Sequence, residues 1–209
     1  MLLFARLAVR VILNFAALLD YQWASLSENN SYRLRAILVN GDPNGQIGQT
    51  IENAIVSSTS PSNPQRLGWQ VRSASEFPTQ ESIEYNVAVA EDSWITVQVM
   101  DNATAALATA RSTGDASWAP QNVIKVYYSQ ARNYQAAGMY TLQPTLQILN
   151  QAIAQLNPQL TASYLQSLTA SGLATAQTNL VRAPQTIASP VGMTQLNLRP
   201  FNQTVAIAT

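Results

Sequence analysis

Between Arg33 and Ser58 the chain reads RLRAILVNGDPNGQIGQTIENAIVSS. Leu34, Ala36 and Leu38 on one side and Ile37 and Val39 on the other are all apolar. A period-2 segment apolar on both faces predicts a strand covered on both sides, placed centrally in its sheet. Gly41, Asp42, Pro43, Asn44 and Gly45 supply turn chemistry, and Ile47, Ile51 and Ile55 recur every four residues on one helical stripe.

The same alternation continues down the chain. Ser, Pro and Asn mark Thr59 to Arg66 as a loop, after which Leu67, Trp69 and Val71 predict a half-exposed second strand. Pro78 is expected to open a helix with Ile83, Val87 and Ala90 as its apolar stripe and Glu81, Glu84 and Glu91 toward solvent. Trp94 to Met100 reads as a third strand, and Asp101 as the N-cap of a helix from Ala103 to Arg111. Gly114 to Pro120 is a loop before a fourth strand, Val123 to Tyr128. Strands alternating with helices long enough for crossovers predict an α/β layered domain with a mixed, partly parallel sheet.

Beyond Ala131 the period lengthens. Leu142, Leu146, Leu149, Ile153 and Leu156 form a helical seam with Pro144 in its first turn. Asn157-Pro158 is expected to break or kink it, and Leu160, Tyr164, Leu165 and Leu168 to begin a second stretch, giving a hairpin or a bent long helix. Residues 172–190 have no clear period, whereas Met193 to Arg199 alternates as a closing strand, which brings the sheet to about five strands.

Composition narrows the function classes. Eleven basic residues balance eleven acidic ones and only 11% of the chain is charged, so there is no basic stripe for nucleic acid. No acidic residue follows Asp115, and beyond it the only cations are Lys125, Arg132, Arg182 and Arg199. A surface that poor in charge fits either an extracellular protein rich in Ser, Thr, Gln and Asn or a face resting on a membrane or partner. With neither cysteine nor histidine, disulfides, thiol nucleophiles, thiolate or imidazole zinc sites and Ser/His/Asp triads are excluded.

Residues 1–24 form an apolar segment interrupted by Arg6 and Arg10, with Val11 to Leu19 as the longest clean run. Three readings fit it: a signal peptide, a membrane anchor with Tyr21 and Trp23 at the far interface, or an amphipathic core helix. The polar segment that follows, which carries a sequon, favours the anchor or its remnant. Asn29, Asn102 and Asn202 are candidate glycosylation sites should the chain enter a secretory lumen.

Candidate chemistry is sparse. Gly41, Gly45 and Gly48 between a strand and a helix invite comparison with phosphate-cradling loops, but their spacing matches neither dinucleotide nor Walker patterns. A tight turn explains them better. Glu81 with Glu84, or Glu91 with Asp92, could serve as paired carboxylates, although a solvated helix face accounts for both. Lys125, Tyr127, Tyr128, Arg132, Tyr134 and Tyr140 mix cations with rings and form a candidate ligand or partner surface, with sheet-face packing as the competing explanation.

A set of dispersed motifs carries a family resemblance. They are Val39-Asn40 with Asp42 and Ile47-Gly48; Leu67-Gly68-Trp69; Trp94; Asn102-Ala103-Thr104 with Leu107; Tyr128 to Asn133; Tyr140 and Pro144; and Leu198-Arg199-Pro200-Phe201 with Gln203 and Val205-Ala206. In this order the chain resembles the extracytoplasmic domain of the fungal nitrosoguanidine-resistance family, which is distantly similar to the YhgE/Pip proteins and to permease subunits of type-2 ABC exporters. The resemblance implies one membrane helix before the domain, several after it, and a role in resistance to toxic compounds or in membrane transport or organisation.

It also implies an extracytoplasmic α/β domain over 25–209, with 140–170 a helical excursion, in a chain cut off before its later membrane helices. No catalytic, cofactor-binding or metal-binding residue is expected. The expected partners are a membrane lipid surface, membrane-embedded helices of the same family or a second copy, on the extracellular or lumenal side of the plasma membrane or secretory pathway. A secreted soluble binding or hydrolytic protein with a signal peptide is the alternative.

Overall fold

A computed structural model describes residues 30–168 and 173–201. Five strands form one mixed sheet: β1 (Arg35–Asn40), β2 (Gly68–Ser73), β3 (Ile95–Val99), β4 (Ile124–Tyr128) and β5 (Met193–Asn197), in the order β2-β1-β3-β4-β5. β2, β1 and β3 run parallel, β4 is antiparallel to β3, and β5 is parallel to β4. The helices are α1 (Gln46–Ser58), α2 (Gln80–Ala88), α3 (Ala103–Thr113), α4 (Gln143–Ser167), α5 (Leu173–Arg182) and α6 (Gln185–Ala188). The expected α/β class with about five strands is therefore observed. The apolar segment 1–24 lies outside the described residues.

The side chains of β1 are buried on both faces from Ala36 to Asn40, because helices cover both sides of the sheet. On one face Ala36, Leu38, Ile95, Val97, Ile124 and Val126 pack with Ile47, Ile51 and Ile55 of α1, Leu107 of α3, and Leu149 and Leu156 of α4. The other face is thinner: Ile37, Val39 and Tyr127 are covered by Ile83 and Val87 of α2, with Phe77 and Leu196 beside them.

Several local expectations change. α2 begins at Gln80 rather than Pro78, because the hydroxyl oxygen of Thr79 accepts from the Ser82 N–H and caps it. Its buried stripe is Ile83, Val87 and Ala88; Ala90 falls past its end and is exposed. Asp101 does not cap α3. The N-cap is Asn102, in the left-handed region at φ 50°, without a side-chain cap bond of its own.

α4 runs unbroken through Pro158 for 25 residues, roughly 37 Å. A π-helical stretch, Ala136–Leu142, leads into it. Proline removes one helical hydrogen bond, but tertiary contacts outweigh that loss. Leu156 and Leu160 are buried either side of it, and the Asn157 amide both donates to the Val191 carbonyl (3.0 Å) and accepts from the Val191 N–H (3.0 Å). Leu165, expected on the apolar side, is exposed. Residues 173–182 and 185–188, without clear period in the sequence, form α5 and α6.

The strand directions have one topological consequence. β1 begins and β5 ends at the same end of the sheet, since Tyr128 at the end of β4 pairs with Asn197 on one side and Ile95 at the start of β3 on the other. The described chain thus enters and leaves at one end, with β1 and β5 three strand spacings apart, roughly 14 Å.

Candidate functional site

Parallel α/β sheets bind ligands beyond the carboxyl ends of adjacent strands whose crossovers diverge. Here that position lies between β1 and β3, where the turn after β1 meets the start of α3. It is filled by the protein's own carboxylate. Asp42, 6% exposed, accepts at Oδ2 from the Gly48 N–H (3.2 Å), the Thr104 N–H (3.2 Å) and the Thr104 hydroxyl (2.5 Å). The Thr104 oxygen in turn accepts from the Ile47 N–H at 3.1 Å.

Helix N-termini attract anions because their first N–H groups lack partners and the helix dipole is positive there. One side chain answers that need for α1 and α3 together. Asn40 completes the arrangement: its carbonyl oxygen accepts from the Asp42 N–H, and its amide donates to the Gly48 carbonyl and to Glu52. Gly48 is required by space, since a Cβ there would collide with the Asp42 carbonyl oxygen. The glycine-rich turn is thus a self-capped helix start, and an incoming phosphate would have to displace Asp42.

The candidate carboxylate pairs are distributed on the exterior. The Glu81 carboxyl is held below the usual range first by its own backbone N–H and then by the Thr79 hydroxyl, the opposite of what a general acid needs. Glu84 accepts from the Gln80 amide at 2.7 Å. Glu91 pairs with Arg132 at 3.5 Å and Asp92 with Arg35 at 3.3 Å. Among the described residues no group of three His, Cys, Asp or Glu side chains could hold a metal.

The six-residue surface of cations and rings is not brought together. Tyr127 and Tyr128 are neighbours on β4 and face opposite sides of the sheet, Tyr127 against α2 and Tyr128 with the larger core. Burial, and secondarily the nearby Glu84, pushes the Tyr127 hydroxyl up to about 12; it donates to Gln98 at 2.9 Å. Burial also raises Tyr128. Lys125 donates to Gln80 at 2.8 Å. Arg132 stacks on Trp94 (3.9 Å), Tyr134 stacks on Phe201 (5.1 Å), and Tyr140 lines a separate recess with Ser31 and Gln65.

Two features escaped the sequence reading. Arg111, in the last turn of α3 and 6% exposed, donates Nε and Nη2 to the Thr186 carbonyl (3.0 and 2.9 Å) and Nη1 to the Leu160 carbonyl (3.1 Å). It also sits over the Tyr164 ring at 4.8 Å, and burial lowers its pKa. It forms part of the wall of a 550 Å³ groove shared with Leu107, Tyr164 and Asn179. The second feature is on α4, where Gln143, Gln147, Gln151, Gln155 and Gln159 recur every four residues and are all exposed. The first four line shallow grooves of about 410 and 440 Å³. Both signals were legible as spacing or residue type, but their settings depend on long-range packing.

Fold and site together define an α/β domain with a five-stranded mixed sheet whose usual ligand position is filled by its own aspartate. The chain belongs to the DUF3533 family, described as a protein of unknown function, whose profile matches residues 7–209. No curated protein and no solved structure matches it. Of the candidate glycosylation sites, Asn102 is exposed, while Asn29 and Asn202 lie outside the described residues. Among the described residues no helix is long and apolar enough to cross a membrane.

Proposed function

We propose that this chain is a non-catalytic extracytoplasmic domain of an exporter-like integral membrane protein, acting in resistance to toxic compounds or in membrane transport or organisation. The observation that carries this reading is the shared end of the sheet at which the described chain enters and leaves. A domain inserted between two membrane-directed segments must return both to one surface.

The motifs behind the resemblance to nitrosoguanidine-resistance proteins support it further. Although dispersed in sequence, Asn40, Asp42, Gly48 and Thr104 converge on the self-capped corner, and Trp94 and Arg132 on the end where the chain enters. These are structural and surface positions rather than an assembled set of nucleophile, base and acid. The uncharged, amide-lined face of α4 is the surface this reading assigns to a protein partner.

Expression in yeast with a C-terminal tag tests the reading. The chain should pellet with membranes, resist alkaline carbonate extraction, and carry a glycan whose endoglycosidase shift disappears in Asn102→Gln. Recovery as an unglycosylated cytosolic protein would overturn it. Cleavage near Trp23 to Ser27 with release into the medium would favour the secreted alternative.

A further inference from the structure

We propose that the end of the sheet where the chain enters and leaves is a bilayer-facing surface that engages anionic phospholipid headgroups through arginines and interfacial rings. This rests on the membrane reading above and names the contact that reading leaves open. The sheet topology gathers at this end the starts of β1, β2 and β3 and the ends of β4 and β5. Arg33, Arg35, Arg66, Arg132 and Arg199 therefore collect there, against Glu91 and Asp92.

Both acids are already paired, with Arg132 and Arg35, which among the described residues leaves Arg33, Arg66 and Arg199 in excess. The opposite end has the reverse character: Glu76, Glu81 and Asp101 lie there with Arg72 and Lys125, and Arg72 is paired with Glu76. The balanced charge of the chain conceals a division between its ends.

Rings accompany the arginines. Arg33 and Arg66 stand 5.7 and 5.0 Å from the Tyr32 ring, and Arg132 lies 3.9 Å from Trp94. Tyr134 and Phe201 stack at 5.1 Å yet remain 48% and 41% exposed. Val89, just before β3, and Met139, beside Gln65 at the start of β2, are 54% and 64% exposed.

Of the ten large apolar side chains exposed among the described residues, five lie at this end, Tyr32, Val89, Tyr134, Met139 and Phe201, beside the arginines, and that combination calls for an occupant. Aromatic rings with one polar edge favour the headgroup level of a bilayer, and the guanidinium fork matches a phosphate. A nucleic acid would supply the phosphates but offer no apolar layer for Val89, Met139 and Phe201. The described chain begins at Asn30 and ends at Phe201 on this same end, and in the sequence the apolar stretches Val11 to Leu19 and Val205 to Ala208 lie beyond those two points.

The absence of cysteine makes the test direct, because a single introduced thiol can carry an environment-sensitive fluorophore. The full chain would be labelled at Tyr134→Cys or, at the opposite end, at Ser75→Cys, and mixed with phosphatidylcholine vesicles with and without phosphatidylserine. The expected result is a blue shift at position 134 that requires phosphatidylserine and no shift at position 75. Removing Arg33 and Arg199 together as glutamines should weaken vesicle binding about fivefold per arginine, while Lys125→Gln leaves it unchanged.

Equal shifts at both labels overturn the proposal, as does vesicle binding indifferent to phosphatidylserine and to the arginine variants. In those cases the chain still associates with membranes and the membrane reading stands. A chain that ignores vesicles altogether and is cytosolic in yeast removes both.

Discussion

Helix α3 carries a buried charge at each end, and the two are held in different ways. At its start the Asp42 carboxylate, brought from the turn after β1, takes hydrogen bonds from two helix N-termini and a hydroxyl. At its last turn Arg111 gives hydrogen bonds to two carbonyls and rests on a ring. Each sign matches the helix dipole, and neither charge has a formal counter-ion among the hydrogen bonds it makes. The backbone itself does the neutralising. The difference is connectivity: Asp42 joins the first strand–turn–helix unit to α3, whereas Arg111 joins α3 to the helices that precede β5.

This comparison predicts unequal losses. Asp42→Ala leaves several buried donors without partners and should cost about 3–5 kcal/mol in urea unfolding. Asp42→Asn, which keeps an acceptor of the same size, should cost about 1–2 kcal/mol. A loss under about 1 kcal/mol for the alanine variant would show that water replaces the carboxylate and that the corner is not a structural joint. Arg111→Ala should cost about 2–3 kcal/mol, with increased amide exchange confined to α5 and α6 if the joint is regional. Uniform exchange across the sheet would show that Arg111 supports the whole fold rather than α5 and α6 alone.

Thr104→Val removes one hydroxyl that both donates to Asp42 and caps α1, with an expected loss of about 1–2 kcal/mol. It also destroys the Asn102 sequon, whereas Thr104→Ser preserves both features. The smallest effect belongs to the opposite face of the sheet, where Tyr127→Phe gives up one hydrogen bond to Gln98 and should cost about 1 kcal/mol.

Tyr127 also sets a pH dependence. Its folded pKa of about 12 lies above the ordinary value of 10, so the folded state holds the proton more tightly than the unfolded chain. That contribution is complete below pH 10 and disappears as pH rises toward 12. Stability measured by denaturant at successive alkaline pH values should fall across this window, and the Tyr127→Phe variant should fall less. Equal slopes would show that the hydroxyl ionises without penalty.

The elements legible in the sequence were those whose signal is local and strong. Ile47, Ile51 and Ile55 fixed α1, and the apolar runs of β1, β3 and β4 identified strands. Period-2 geometry was also sufficient to separate Tyr127 from Tyr128, although residue type alone had grouped them. The reversed direction of β4 was not legible, because alternation carries no information about polarity. For α4 the spacing allows a long helix or a hairpin; the structure has the long helix, the local stop signal Asn157-Pro158 being overruled by two hydrogen bonds to Val191 and by Leu156 and Leu160 in the core.

α5 does carry an amphipathic period, hidden in its Ala/Thr/Ser-rich setting, and distant partners help hold it and α6. Asn179 donates to the Ser112 carbonyl and Arg111 reaches Thr186. The self-capped corner failed for a related reason. Asp42 and Thr104 are 62 residues apart, and each alone reads as a turn residue or an early helix residue.

The five glutamines along α4 present amides that neither ionise nor carry net charge. Contacts made through those amides would depend little on salt, unlike contacts made by the arginine-bearing end. A single domain would then hold one attachment that ionic conditions can loosen and another that they cannot.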